Sequence, residues 1–109
     1  MNRLLKVNEL IKQQLGQIIL TEVEFEPGTI VTITRVETLP DLKQAKVLVS
    51  VLPASAREQA IKILNREANN LQQLLNEKII LRIIPKLNFL VDDSEERAAE
   101  IERLLDNLK

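Results

Sequence analysis

The sequence predicts an α+β domain, and three observations predict it. Apolar residues recur at three- and four-residue spacing near both ends and through the middle of the chain. Two runs rich in β-branched residues lie between Thr29 and Leu52. A third apolar run, Ile79 to Asp93, carries Arg82, Pro85 and Lys86 before ending in two acids. Helical spacing and strict alternation separate these segments into helices and strands. The predicted order is helix, strand, strand, kinked helix, strand, helix. No repeat, low-complexity tract or linker interrupts it. At 109 residues the chain is expected to form one domain, residues 1–109, with a single modest core.

The first helix follows from Leu4, Val7, Ile11, Leu15 and Ile18, with Leu10 and Ile19 beside them. Gly16 inside this pattern suggests a close approach by another element, since it costs about 1 kcal/mol against Ala. Pro27-Gly28 marks a turn. Thr29 to Val36 reads as a strand. Ala45 to Leu52 reads as a second, with Ala45, Val47, Val49 and Val51 on one face and Lys46 on the other. Their short connection, Leu39-Pro40-Asp41-Leu42, allows antiparallel pairing.

Ser55 to Glu58 has the spacing of a capping box. A long helical pattern follows through Ile63, Leu64, Ala68, Leu71, Leu74 and Leu75. Asn69-Asn70 interrupts it and predicts a kink, because Asn is a poor helix-interior residue that tolerates left-handed backbone angles.

Ile79 to Val91 then reads as a strand. Counting in twos puts Leu81, Ile83, Pro85, Leu87, Phe89 and Val91 on one face, and Arg82 and Lys86 on the other. Pro in mid-strand points to an edge or a bulge. The predicted core joins Val47, Val49, Val51, Ile83, Leu87 and Phe89 with Ile11, Leu15, Leu64 and Leu71. Asp92 to Glu96 opens a last helix, with acids at its positive end and a stripe of Ala98, Ile101, Leu104, Leu105 and Leu108.

Composition excludes much chemistry. There is no Cys and no His, so disulfides, thiol nucleophiles, Cys/His zinc sites and imidazole catalysis are absent. The two glycines, Gly16 and Gly28, make no phosphate loop. Asp92-Asp93 and Glu95-Glu96 could in principle work as an acid/base pair, but helix-opening acids serve capping and the dipole. Asp41 reads as a turn carboxylate. No enzyme is expected, and no metal or cofactor. The N-terminus is too polar for a signal peptide and no run is long enough to span a membrane. A cytoplasmic protein is expected.

Fifteen bases against sixteen acids give a net charge of −1. Any polyanion would therefore meet a local patch. Phe25 and Phe89 are the only aromatics, which argues against recognition by base stacking. The candidate phosphate contacts are Arg57, Lys62 and Arg66 before the kink, Lys46, and Arg82 with Lys86 on the last strand. A helix N-terminus after the kink would add backbone amides. Each base alone also reads as a solvated surface group.

Several motifs resemble ribosome-binding factor A, a family of bacterial small-subunit assembly factors. They are Arg35-Val36-Glu37, then Asp41-Leu42 and Ala45-Lys46-Val47. With them goes the run Leu81-Arg82-Ile83-Ile84-Pro85-Lys86-Leu87-Asn88-Phe89-Leu90-Val91-Asp92. The resemblance covers nearly the whole chain. It implies a type II KH fold: an α/β sandwich with helices on one side of a three-stranded sheet and the last helix as an appendage. KH domains clamp nucleic-acid backbone with a GxxG loop. The family has an Ala-x-Gly kink instead, matched here by Ala68-Asn69-Asn70, with Asn in place of Gly. Asn70 is expected to keep the kinked geometry.

The implied function is late maturation of the small ribosomal subunit. The protein would bind that subunit's rRNA and support processing of its 5′ end, without cleaving it. The implied RNA-binding residues are Arg3, Lys6, Lys46, Lys62, Arg66, Asn69, Asn70, Arg82 and Lys86. The protein is expected to act as a monomer, with no small-molecule substrate and no membrane partner. The alternative is a KH-like protein-interaction module that has lost RNA binding, which the charge balance and scarce aromatics favour.

Overall fold

Asn2 starts the first helix by accepting the Leu4 amide at 2.8 Å on its side-chain oxygen. The structure, a computed structural model, describes residues 2–108. Its elements are α1 (Arg3–Glu22), β1 (Ile30–Thr38), β2 (Gln44–Leu52), α2 (Arg57–Arg66), α3 (Ala68–Lys78), β3 (Lys86–Val91) and α4 (Ser94–Asp106). The expected order holds, with the kinked helix resolved into α2 and α3.

The sheet has strand order β1-β2-β3. β1 pairs antiparallel with β2, and β3 runs parallel to β2. β2 is therefore central, and its alternation is the cleanest. Ala45, Val47, Val49 and Val51 are buried while Lys46 is exposed. Helices α1, α2 and α3 cover the valine face. From α1 come Val7, Ile11, Leu15, Ile18 and Ile19, from α2 Ala60 and Leu64, and from α3 Leu71 and Leu75. Leu87 and Phe89 complete this core from β3. Each fully buried aliphatic side chain contributes about 1.5–3 kcal/mol.

Four local expectations need correction. The third strand begins at Lys86, not near Ile79. Lys86 pairs with Gln44, the first residue of β2, so earlier residues have no strand to bond to. Residues 79–85 form an irregular loop. Arg82 is exposed in it, and Ile83 is 54% exposed rather than in the core. Pro85 is buried at its end, just ahead of the strand, where its missing N–H is not needed.

The capping box does not form. Ala54–Ala56 make a 3-10 turn, α2 starts at Arg57, and no side chain caps it.

Gly16 is not a close-packing site. A Cβ there would meet nothing within 4 Å.

The kink comes earlier than expected and without left-handed backbone. Glu67 breaks the helix at φ −88°, ψ 0°, and Asn69 and Asn70 lie in the first turn of α3. Among the described non-glycine residues only Leu42 has positive φ, at 63°. It closes the β1–β2 turn, where its amide donates to Leu39 at 2.8 Å.

Candidate nucleic-acid interface

Strand pairing alone arranges the face of the sheet opposite α1, α2 and α3. Opposite-strand partners share a face, so the register lines up Glu37, Lys46 and Asn88 in one row. Arg35, Leu48 and Leu90 form the next row, and Gln44 with Lys86 the one before. Lys46 and Lys86 are both exposed here, on adjacent strands and one row apart.

Arg35 joins them through an irregularity. β1 slips by one residue between Ile33 and Arg35, which makes Thr34 a bulge. Without the slip, Arg35 would share the face of Ile33 and turn toward the helices. With it, Val36 is buried and Arg35 is exposed, 3.1 Å from Glu37. Sequence alternation missed Arg35 because a bulge leaves no mark in it.

The bulge is held by Asp92. Thr34 Oγ1 donates to Asp92 Oδ2 at 2.6 Å, with the Leu48 carbonyl also 3.1 Å away. The Ser94 amide donates to Asp92 Oδ1 at 3.0 Å. These donors, Thr34 first, then Ser94, with Arg35 adding its field, hold the Asp92 carboxyl well below the usual carboxylate range.

Other candidates gather where β2 and β3 begin. The Lys86 amide donates to the Lys43 carbonyl at 2.9 Å, which brings exposed Lys43, another residue the sequence reading missed, beside β3. Gln72 of α3 clamps the start of β3. Its side chain donates to the Pro85 carbonyl at 3.2 Å and accepts the Leu87 amide at 3.0 Å. Exposed Arg82 is four residues before Lys86 in the preceding loop. Asn8 accepts the Thr38 amide at 2.9 Å, which ties the N-terminal turns of α1, with exposed Arg3 and Lys6, to the end of β1. Arg3, Lys6, Lys46, Arg82 and Lys86 thus share one end of the sheet.

Lys62, Arg66, Asn69 and Asn70 belong to the helical layer and do not join that group. All four are exposed around the α2–α3 junction. The Glu67 amide still donates to Ile63 at 3.0 Å and its carbonyl accepts Leu71 at 2.9 Å. Ala68, Asn69 and Asn70 stand at the N-terminus of α3, the helix end that favours anions. Lys62 lies 3.7 Å from Glu58 one turn earlier, a weak exposed pair.

Arg57 leaves the candidate set. Its guanidinium makes a two-pronged contact with Glu96, one bond at 2.9 Å from Nη1, and that carboxylate raises its pKa. The helix-opening acids are likewise engaged in structure: Asp92 with Thr34, Asp93 with Arg97 at 3.0 Å, and Glu96 with Arg57. Asp41 accepts the Lys43 amide at 3.0 Å, as a turn carboxylate does. Among the described residues, no helix is long and apolar enough to cross a membrane.

A mixed three-stranded sheet, helices on one face and a broken helix between the parallel strands define a KH-like domain of the second type. Residues 3–105 match the ribosome-binding factor A family. A ribosome-binding factor A from Akkermansia muciniphila is 39% identical over 103 residues, spanning 94% of this chain and 82% of that relative. One from Coxiella burnetii is 39% identical over 101 residues, spanning 93% and 85%. The chain belongs to the ribosome-binding factor A family.

Structures of relatives share the fold. The crystal structure of ribosome-binding factor A from Thermus thermophilus aligns with a TM-score of 0.69 at 22% identity, covering 81% of this chain and 93% of that one. A homology model of the Thermus thermophilus ribosome-binding factor A, fitted into a cryo-electron-microscopy map of a 30S complex of that factor, aligns with a TM-score of 0.67 at 23% identity, covering 79% and 91%.

Proposed function

We propose that this protein binds the small ribosomal subunit through its rRNA and supports late maturation, including processing of the rRNA 5′ end, without cutting RNA itself. The carrying observation is the pair Lys46 and Lys86 on an uncovered sheet face, with Arg3, Lys6 and Arg82 at the same end. Family membership and the 30S complex of the Thermus thermophilus relative support this reading.

The whole chain would act as one domain, as a monomer, in the cytoplasm. The sheet end supplies point charges for phosphates, and Arg35 and Lys43 widen it. Lys62, Arg66 and the N-terminal end of α3, with Asn69 and Asn70, form a second phosphate-binding edge on the helical layer. Two separated edges suit a folded RNA read by shape rather than unstacked bases. Binding energy would stabilise one arrangement of the rRNA and shift its population.

The test is the salt dependence of binding to purified small subunits. Phosphate contacts release counterions, so affinity should fall steeply with salt. Lys46→Ala with Lys86→Ala should weaken binding and reduce the logarithmic salt slope by about two units, one per phosphate contact. Salt-insensitive binding by the wild type would instead favour a protein-interaction module. Sedimentation of particles from depleted cells should reveal immature small subunits with unprocessed rRNA.

A further inference from the structure

Among the described α-helices, α4 alone buries no residue of its own. Ile101, Leu104 and Leu105 are each 56% exposed and Leu108 82%. Helical spacing puts these four on one stripe, with Glu100 and Glu102 bordering it on either side. Across Ser94–Asp106, five acids against two bases leave a net charge of −3.

The stem of the helix is nonetheless fixed. The Asp92 amide donates to Val49 at 2.7 Å, Thr34 bonds the Asp92 carboxylate, and Arg57 grips Glu96. The stripe is therefore held out in a set direction rather than left on a loose tail.

We infer that α4 is a protein-docking helix whose partner is a basic protein of the small subunit with an apolar groove. The inference rests on the proposed function, which brings the chain to an RNA–protein particle. Such a particle offers two kinds of surface, phosphate and the basic proteins that neutralise it. Phosphate repels a helix of net charge −3 and has nothing to offer a row of leucines. A basic groove satisfies both, in the helix-in-groove mode.

A second copy of this chain fits less well. Pairing α4 with α4 brings like charges together. Thirteen residues make a face roughly 20 by 10 Å, far below the roughly 800 Å² per partner of a stable interface. Such a small face is sufficient as a second contact, because the sheet and helical edges already hold the factor on the particle and raise the effective concentration of α4 there.

The test uses the whole protein and purified small subunits. Ile101→Asp with Leu105→Asp should keep the wild-type Tm, since α4 buries nothing. It should bind subunits at least tenfold more weakly, yet bind protein-free small-subunit rRNA as the wild type does. Glu100→Lys with Glu102→Lys should also weaken binding to subunits. Tighter binding by that variant would mean α4 faces RNA and would overturn the assignment.

The chain has no Cys, so Glu102→Cys gives a unique attachment point for a photo-crosslinker. The expected adduct is with a small-subunit protein. An adduct with rRNA, with the protein's own sheet or with a second copy would refute the proposal. If wild-type protein fails to bind subunits at all, the proposed function falls and this partner with it. Wild-type binding that is indifferent to Ile101→Asp with Leu105→Asp overturns the α4 partner alone.

Discussion

Asn70 gives a decisive test of the α2–α3 junction, because two backbone geometries predict opposite orders of stability. If Asn70 carried a left-handed kink, Gly would relieve strain and Ala would add it. The structure has Asn70 in the first turn of α3, with the break at Glu67 and no positive φ at either Asn. Asn70 is exposed, so packing does not intervene. Helix propensity then decides. Ala should gain about 0.5 kcal/mol over Asn, and Gly should lose roughly 0.3–0.5 kcal/mol. The span between the two variants is about 1 kcal/mol, or about 4 °C in Tm for a domain of this size. Thermal unfolding by circular dichroism at one pH and salt concentration measures it. The order expected is Asn70→Ala above wild type above Asn70→Gly. Gly above wild type with Ala below would mean a left-handed residue and would refute the helical assignment. The same pair bears on function: if backbone amides at the N-terminus of α3 hold phosphate, Asn70→Ala should bind small subunits within about twofold of wild type, because the backbone donors remain.

Gly16→Ala should raise stability by about 1 kcal/mol in urea unfolding, because the position is helical and a Cβ there meets nothing within 4 Å; a loss would mean that a neighbour closes on α1. Phe89→Ala should cost about 3–5 kcal/mol, since the ring is 5% exposed against the helix-covered face of the sheet; a cost under about 1 kcal/mol would mean the β3 face is misassigned. Asp92 carries a pH dependence. Its folded pKa lies below the unfolded value near 4, so the unfolded chain takes up the proton first. The stabilisation is fully present above about pH 4 and is lost as pH falls from there toward the folded pKa. Asp92→Asn should therefore lie below wild type in Tm at pH 7, with the gap narrowing between about pH 4 and pH 2. A gap independent of pH would remove the Thr34–Asp92 bond from the account.

Periodicity alone determined the element order, the valine face of β2, the buried residues of α1 and the exposed place of Lys46, because each depends on spacing within one segment. Composition likewise excluded thiol and imidazole chemistry. Tertiary structure decided what depends on a partner. β3 starts at Lys86 because β2 starts at Gln44, which moved Arg82 and Ile83 off the strand although their apolar surroundings read as strand. The Thr34 bulge reverses the face of every later residue of β1, so Arg35 reaches the open face only through a register that is set between strands. The bases that the sequence grouped together divide between the sheet end and the α2–α3 junction, since they sit on elements in different layers. The stripe of α4 reads like that of any core-facing helix. Whether such a stripe finds a core depends on where the preceding strand ends and how the stem is tied, and here Asp92 and Arg57 hold it away from the sheet's buried side.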